Sequence, residues 1–240
     1  MCQGKSMKNK NEIEQFISYF ESEIVKISSI ESSLYRKLLF TCMLDALSTA
    51  RFPDNKTNNK IISFLLNCTK SSLLNRVSLI QLNLLLDCIL SDQEKRSSLL
   101  LPFVRQEMKK MKSGHVYRGD DIDPYFNQLD RKATSKEKKA LKLTRYVNLF
   151  YAYRNEMVHG FKEPAYGMEI SNDGSSPYYH GYQTKQWQLV FPSPFFKNLC
   201  TEALDGLKEY LYSKDINPYD QYKFLDSWFT TKNLKKLMIT

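Results

Sequence analysis

Three side chains able to do acid–base and phosphate chemistry lie close together in the chain, at Arg154, Asn155 and His159. An imidazole titrates near neutral pH and therefore suits proton transfer. A guanidinium matches the geometry of a phosphate through paired hydrogen bonds. Tyr151, Asn155 and His159 are spaced four apart, so on a helix they would stack on one face. Tyr151 would then either line the same cleft or pack into the core.

The stretch that must position these side chains runs from Thr134 to Gly160 and is predicted to be one helix. Thr134 and Glu137 match a capping box, and Gly160 is the residue type that most easily takes the left-handed conformation at a helix end. A structural alternative also fits. A histidine in the last turn is favoured by the helix dipole, and an arginine there often covers apolar surface with its stem. Local physics alone leaves both interpretations open.

Apolar residues recur at helical spacing along most of the chain, which predicts an all-α fold. We expect a single domain of 240 residues. Its predicted parts are a flexible tail at 1–11, a peripheral amphipathic helix at 12–27, a core bundle at 30–212, a β insertion at 165–191, and a C-terminal helix and tail at 217–240.

The β insertion is predicted where the period changes after the long helix. Residues 165–171, 177–182 and 187–191 are rich in aromatics, and Asn172-Asp173-Gly174 is a turn signal. We expect a small hairpin or three strands here. Residues 114–133 are predicted to be an irregular connection or a short extra helix, because they combine glycine, proline and several acidic side chains.

The charge balance favours a polyanionic partner. The chain has 35 basic and 26 acidic residues and a formal net charge of +9, and such a surplus attracts nucleic acid through phosphate neutralisation. A generally basic protein without such a partner has the same composition. Lys109, Lys110 and Lys112 are candidate RNA ligands, although a lysine run is also typical of a solvated helix face.

Neither a metal site nor a membrane segment is indicated. The three histidines and five cysteines lack the spacing of a zinc site. Asp120, Asp121 and Asp123 cluster, but in a loop they are expected to be exposed and solvated. No glycine-rich phosphate loop or serine-nucleophile signature occurs, so we expect no cofactor. Scattered cysteines and the lack of a signal peptide or long apolar stretch predict a soluble, cytoplasmic protein.

The pattern Arg154-Asn155-x-x-x-His159 at the end of a long helix in an all-α domain resembles the HEPN superfamily. The signature of that family is an arginine and a histidine separated by a short spacer, which here has four residues. The resemblance extends loosely over residues 30–212. The predicted N-terminal helix, residues 114–133 and the β insertion are additions to a minimal HEPN bundle.

The resemblance implies a metal-independent endoribonuclease with Arg154 and His159 as catalytic residues. RNA carries its own nucleophile, the 2′-hydroxyl, so the protein must supply a base, an acid and positive charge for the phosphorane-like transition state. One chain has one motif histidine, whereas acid and base are two roles. We therefore expect a homodimer with a composite cleft, in which Asn155 orients His159 or the scissile phosphate. The products would be a 2′,3′-cyclic phosphate and a 5′-hydroxyl.

Several expectations follow for the surroundings of this site. Asp45 is the acid in the apolar middle of the first core helix, where it would either contact Arg154 or His159 across the bundle or lie at the surface.

The role that the resemblance implies is a toxin or antiviral-defence effector that cleaves tRNA or mRNA under the control of a neutralising or regulatory protein. The alternatives are a non-catalytic HEPN-like module that binds a nucleotide, nucleic acid or protein, and a plain helical scaffold.

Overall fold

The computed structural model describes residues 8–53, 57–164, 169, 174–181 and 187–222. In this part of the chain it has twelve α-helices, one 3-10 helix and three short strands. In chain order these are α1 (Lys10–Ser28), α2 (Ser33–Arg51), α3 (Thr57–Cys68), the 3-10 helix (Ser72–Asn75), α4 (Leu79–Ile89), α5 (Asp92–Ser97), α6 (Leu100–Met108), β1 (Val116–Arg118), α7 (Gly119–Ile122), α8 (Phe126–Asp130), α9 (Ser135–Leu143), α10 (Tyr146–Gly160), β2 (Tyr178–His180), β3 (Gln188–Val190), α11 (Ser193–Lys214) and α12 (Pro218–Tyr222).

The main hydrophobic core forms around α11, which packs against α1, α2 and α3. α10, which carries the candidate residues, packs against α2 and α3. α11 approaches the end of α3 so closely that a Cβ at Gly206 would lie 2.1 Å from the carbonyl oxygen of Cys68. Only glycine allows the two helices to meet at this distance. A second apolar cluster takes side chains from α4, α6, α8 and α9.

The helix predicted at 12–27 is α1, but it is not peripheral. Its buried side chains, from Ile13 to Ile27, belong to the main core. The predicted tail at 1–11 also ends earlier, because the backbone amides of Lys8 and Asn9 donate to the Asp215 carboxylate at 3.2 and 3.1 Å. The rest of that tail, residues 1–7, lies outside the described residues, as do residues 223–240 of the predicted C-terminal helix and tail.

The single helix predicted from Thr134 to Gly160 is wrong, because the chain forms α9 and α10 with a break between them. The break has a non-local cause: the segment around Val77 pairs with the backbone of Arg145. The N–H of Tyr146 donates to the carbonyl of Arg76 at 2.8 Å, and a second bond of 3.0 Å joins Ser78 to Thr144. These bonds use backbone groups that a continuous helix would pair internally. The capping box of Thr134 is present as predicted.

A small antiparallel sheet of order β1-β2-β3 lies beside the helices. The predicted hairpin between α10 and α11 is β2 and β3, with Tyr179 opposite Leu189. The third strand comes from a different place than predicted: β1, in the connection before α9, pairs with β2. Of the first strand expected at 165–171, only Glu169 falls within the described residues. The molecule is thus mostly helical with one small sheet.

Candidate functional site

The helix α10 carries the candidate residues, and it has an extended residue just before it and a left-handed residue just after it. It begins where Arg145 takes an extended conformation, with φ −67° and ψ 138°. Gly160 was expected to end it in the left-handed conformation, but Gly160 is the last helical residue. Phe161 adopts that conformation instead, with φ 48°, and its N–H donates to the carbonyl of Met157. A left-handed phenylalanine costs about 1–2 kcal/mol, so the helix end is held by its surroundings.

Arg154 is buried between α10 and α2. Its guanidinium forms an ion pair with Asp45 on α2 and donates to Asn155 Oδ1 at 2.9 Å. Of the alternatives left open for Asp45, the structure has the contact with Arg154 across the bundle. Burial raises the pKa of the Asp45 carboxyl, although Arg154 and the nearby Lys60 oppose the rise. This ion pair joins the two helices, and the carboxylate of Asp45 counters the positive charge of Arg154.

The Arg154–Asp45 pair retains open hydrogen-bonding capacity. Arg154 Nε and Asp45 Oδ1 are both buried and have no hydrogen-bond partner among the described residues. Buried polar groups nearly always form a hydrogen bond, and one that lacks a protein partner in a native fold can bind a ligand, a water molecule or another protein. The arginine can therefore take a further acceptor without releasing Asp45.

His159 is exposed in the last turn of α10. It lies four residues after Asn155, so the two side chains are about 40° apart around the helix and about 6 Å apart along it. The side-chain bond of Asn155 in the structure is with Arg154 and not with His159. Tyr151, on the same face, is half-buried and packs against the main core.

The three lysines proposed as RNA ligands are exposed near the end of α6. Lys110 forms an ion pair with Glu107 at 2.6 Å, and the backbone N–H of Lys112 donates to the Tyr117 hydroxyl. Lys109 is the C-cap residue of α6. None of these contacts, within the described residues, involves the candidate residues of α10.

An exposed apolar surface lies beside the site. On α2, Tyr35, Leu39 and Cys42 are exposed on successive turns before Asp45. The exposed ring of Phe161 lies with its centre 6.0 Å from that of Tyr35. These four side chains, here called the α2 face, are the kind of surface that a protein partner covers.

The acidic cluster at 120–123 differs from the expectation. Asp121 is exposed and Asp120 half-buried, but Asp123 is only 1% exposed. The hydroxyls of Tyr146 and Tyr179 both donate to its Oδ2 at 2.5 Å and so offset part of the cost of burying this carboxyl. In the described part of the chain no three His, Cys, Asp or Glu side chains converge as a metal site would require.

The Asp123 network joins four parts of the chain. Its Oδ1 accepts the N–H of Leu79 at the start of α4, and its backbone carbonyl accepts from Arg76. Tyr146 is the first residue of α10. Tyr179 lies on β2, and its hydroxyl oxygen is 2.7 Å from the hydroxyl oxygen of Ser78. Burial raises the pKa of Asp123 to about 6, although the tyrosine hydrogen bonds oppose the rise.

Sequence reasoning missed a second buried polar group, around Lys37 on α2. Its Nζ lies 2.6 Å from Glu163 and 2.6 Å from Glu169, and it has no solvent exposure. Ser33 donates to Glu169, and the hydroxyl of Tyr153 on α10 donates to Glu163. Burial alone would raise the pKa of Glu169, but hydrogen bonds from Lys37 and Ser33 outweigh it and lower the pKa. This group fastens the segment after α10 to α2.

Comparison with protein-family profiles, with curated proteins and with solved structures finds no match for this chain. Among the helices of the described residues, none has both the length and the apolarity needed to cross a membrane. The function of the protein must therefore be inferred from its fold class, its charge and the residues around α10.

Proposed function

We propose that the protein is a metal-independent endoribonuclease of the HEPN type, with Arg154 and His159 as its catalytic residues. The observation that carries the proposal is a buried arginine, held by Asp45 and Asn155, just before an exposed histidine on the same helix. A guanidinium fixed in this way is preorganised for a phosphate. The net charge of +9 supports a polyanionic substrate.

The proposed reaction needs two proton transfers. One histidine takes the proton of the RNA 2′-hydroxyl, whose oxygen attacks the adjacent phosphorus, and another gives a proton to the departing 5′ oxygen. A 2′,3′-cyclic phosphate and a 5′-hydroxyl result. The exposure of His159 leaves its ring free to meet RNA and a second protomer. Asn155 holds the guanidinium of Arg154, so its proposed role is to position that arginine as the phosphate arrives.

We propose that the homodimer forms through the α2 face. Tyr35, Leu39 and Cys42 lie on the helix that carries Asp45, and Phe161 follows His159 by two residues. Covering this apolar surface with a second copy would bring two α10 helices together at their C-terminal ends. Two arginines and two histidines would then surround one phosphate.

The proposed setting is the cytoplasm, with tRNA or mRNA as substrate and a role as a toxin or defence effector. Thiols such as those of Cys42 and Cys88, free in the structure, stay reduced there. An RNA-cleaving protein requires control, so a neutralising or regulatory protein belongs to the same proposal.

The test is cleavage of total RNA in EDTA by wild type and two variants. His159→Ala alters an exposed side chain, so it should fold normally and lose activity by about 100-fold or more. His115 is exposed as well, and His115→Ala is the matched control that should retain full activity. Arg154→Lys keeps a positive charge beside Asp45 but removes the paired geometry, so it should also lose activity.

A folded wild type that leaves RNA intact contradicts the proposal, and so does an active His159→Ala. The dimer has a separate test. Cys42 lies in the α2 face and Cys88 on α4, and both are exposed. Alkylation of Cys42, followed by peptide mass spectrometry, should slow as protein concentration rises, whereas that of Cys88 should not. Equal rates at all concentrations would exclude this interface.

A non-catalytic binding module is the second candidate, and the Arg154–Asp45 ion pair favours it. An arginine whose charge is already countered serves structure as readily as catalysis. RNA with 2′-O-methyl groups lacks the nucleophile and separates the candidates. A binding module would bind this RNA and leave ordinary RNA uncut, whereas the nuclease would bind both and cleave only the ordinary one.

A further inference from the structure

A pocket of about 630 Å³ opens at the other end of α10, beside its first residue. This volume lies in the range of small-molecule sites. Its walls come from α8, from the 3-10 helix and from the start of α10. The side chains that matter for recognition are one guanidinium, two aromatic rings and three amides: Arg145, Tyr125, Phe126, Asn75, Asn127 and Gln128.

Arg145 brings a positive charge to this pocket without an acidic partner. Its guanidinium donates to the neutral amide oxygen of Asn75, and among the described residues it has no carboxylate in ion-pair range. Its Nε is buried and has no hydrogen-bond partner there. Partial burial lowers the pKa of Arg145. A cation that is desolvated and unpaired is stabilised by an anion that enters the pocket.

The aromatic walls suit a flat ring. The guanidinium of Arg145 lies 5.4 Å from the ring centre of Phe126, and that of Arg76 lies 4.4 Å from the ring centre of Tyr125. Aromatic rings and arginine guanidinium groups are surfaces on which nucleobases stack. Asn127 is exposed on the rim, and side-chain amides there can donate to and accept from a base edge.

We propose that this pocket binds a nucleotide, with Arg145 taking the phosphate and Tyr125 and Phe126 receiving the base. The nucleotide is either free or one residue of an RNA strand, since both present the same phosphate and base. The site is distinct from the candidate catalytic group, because Arg145 and Arg154 are nine residues apart, about 13 Å along the helix. The proposal does not depend on RNA cleavage.

Calorimetry with the full chain tests the proposal. The ligands are the four nucleoside 5′-monophosphates, ribose 5-phosphate and a 2′-O-methyl trinucleotide. At least one monophosphate should bind, with ribose 5-phosphate about tenfold weaker or more, because stacking of a base is worth about 1–3 kcal/mol. A trinucleotide that binds at least tenfold more tightly assigns an RNA strand, and equal affinities assign a free nucleotide.

Variants locate the binding. Arg145→Gln should weaken it about tenfold or more, as expected for loss of a charged hydrogen bond, whereas Arg96→Gln removes the same charge from an exposed position of α5 and should leave it unchanged. Asn127→Glu adds a negative charge at the rim and should weaken binding, with Asn127→Gln as its neutral match. Both substitutions at Asn127 should leave folding intact because this residue is exposed.

The nuclease and this pocket fail separately, because RNA cleavage reports on Arg154 and His159, whereas loss of nucleotide binding in Arg145→Gln reports on this pocket. The proposal is overturned if neither a monophosphate nor the trinucleotide binds at millimolar concentration. It is also overturned if ribose 5-phosphate binds as well as the nucleotides, or if Arg145→Gln and Asn127→Glu, both folded, bind as wild type.

Discussion

Raising the pH from 4 to 7 should weaken the fold through one carboxyl, that of Asp123. Burial raises its pKa from the ordinary 3.8 to about 6. Between these values the folded state holds a proton that the unfolded state has released, so the free energy of unfolding falls as pH rises. At about 1.36 kcal/mol per pH unit, this shift corresponds to about 3 kcal/mol. That is a large part of a typical stability of about 5–15 kcal/mol.

The measurement is urea unfolding of wild type and Asp123→Asn at intervals between pH 4 and 7.5. Asparagine does not titrate, so the difference between the two proteins isolates Asp123 from the other ionisable groups. The variant loses an acceptor for Tyr146, Tyr179 or Leu79 and should be less stable at every pH. The stability advantage of wild type should shrink by up to about 3 kcal/mol across the window from about pH 4 to 6.

The slope of that difference decides the outcome. A difference that stays constant with pH would show that Asp123 titrates alike in both states. One that grows with pH would show that the tyrosine hydroxyls stabilise the carboxylate more than burial penalises it. Either result would refute the assignment of burial as the dominant cause.

Two further variants test the packing around the site. Lys37→Met removes the cation from between Glu163 and Glu169 and should destabilise by about 3–5 kcal/mol in thermal or urea unfolding; Lys70→Met breaks only an exposed pair and should cost less than about 1 kcal/mol, and equal effects would contradict the buried network. Gly206→Ala must displace α11 from the Cys68 carbonyl and should cost about 1–3 kcal/mol despite the better helix propensity of alanine; a stabilised variant would refute the close approach.

Local periodicity was sufficient to predict the long helices. The apolar faces of α1, α2 and α11 recur every three or four residues, so the sequence alone indicates them. It also indicated the capping box at Thr134 and one of the two alternatives for Asp45, the contact with Arg154. The helices and the capping box depend on residues that are close together in the chain. Asp45 is recognisable because it is a charged residue in the middle of an apolar helix face.

What sequence could not predict depends on contacts between distant segments. The break after Leu143 arises from pairing with the chain near Val77, and no residue at the break itself signals it. Asp123 looked solvated because its neighbours are acidic, whereas its tyrosine donors are remote in sequence. Lys37 is buried for the same reason: Glu163 and Glu169 are more than 120 residues away.

The backbone pairing between Val77 and Arg145, here called the joint, fixes the residue at which α10 begins. A helix turns by about 100° per residue, so the direction of Arg154 is determined by its distance in residues from that joint. One residue inserted between Tyr146 and Arg154 would rotate the guanidinium away from Asp45. One inserted before Leu143 would lengthen α9 and leave Arg154 in place. Arg145, at the same joint, also lines the pocket that we propose binds a nucleotide, so a single point in the fold fixes the orientation of both proposed sites.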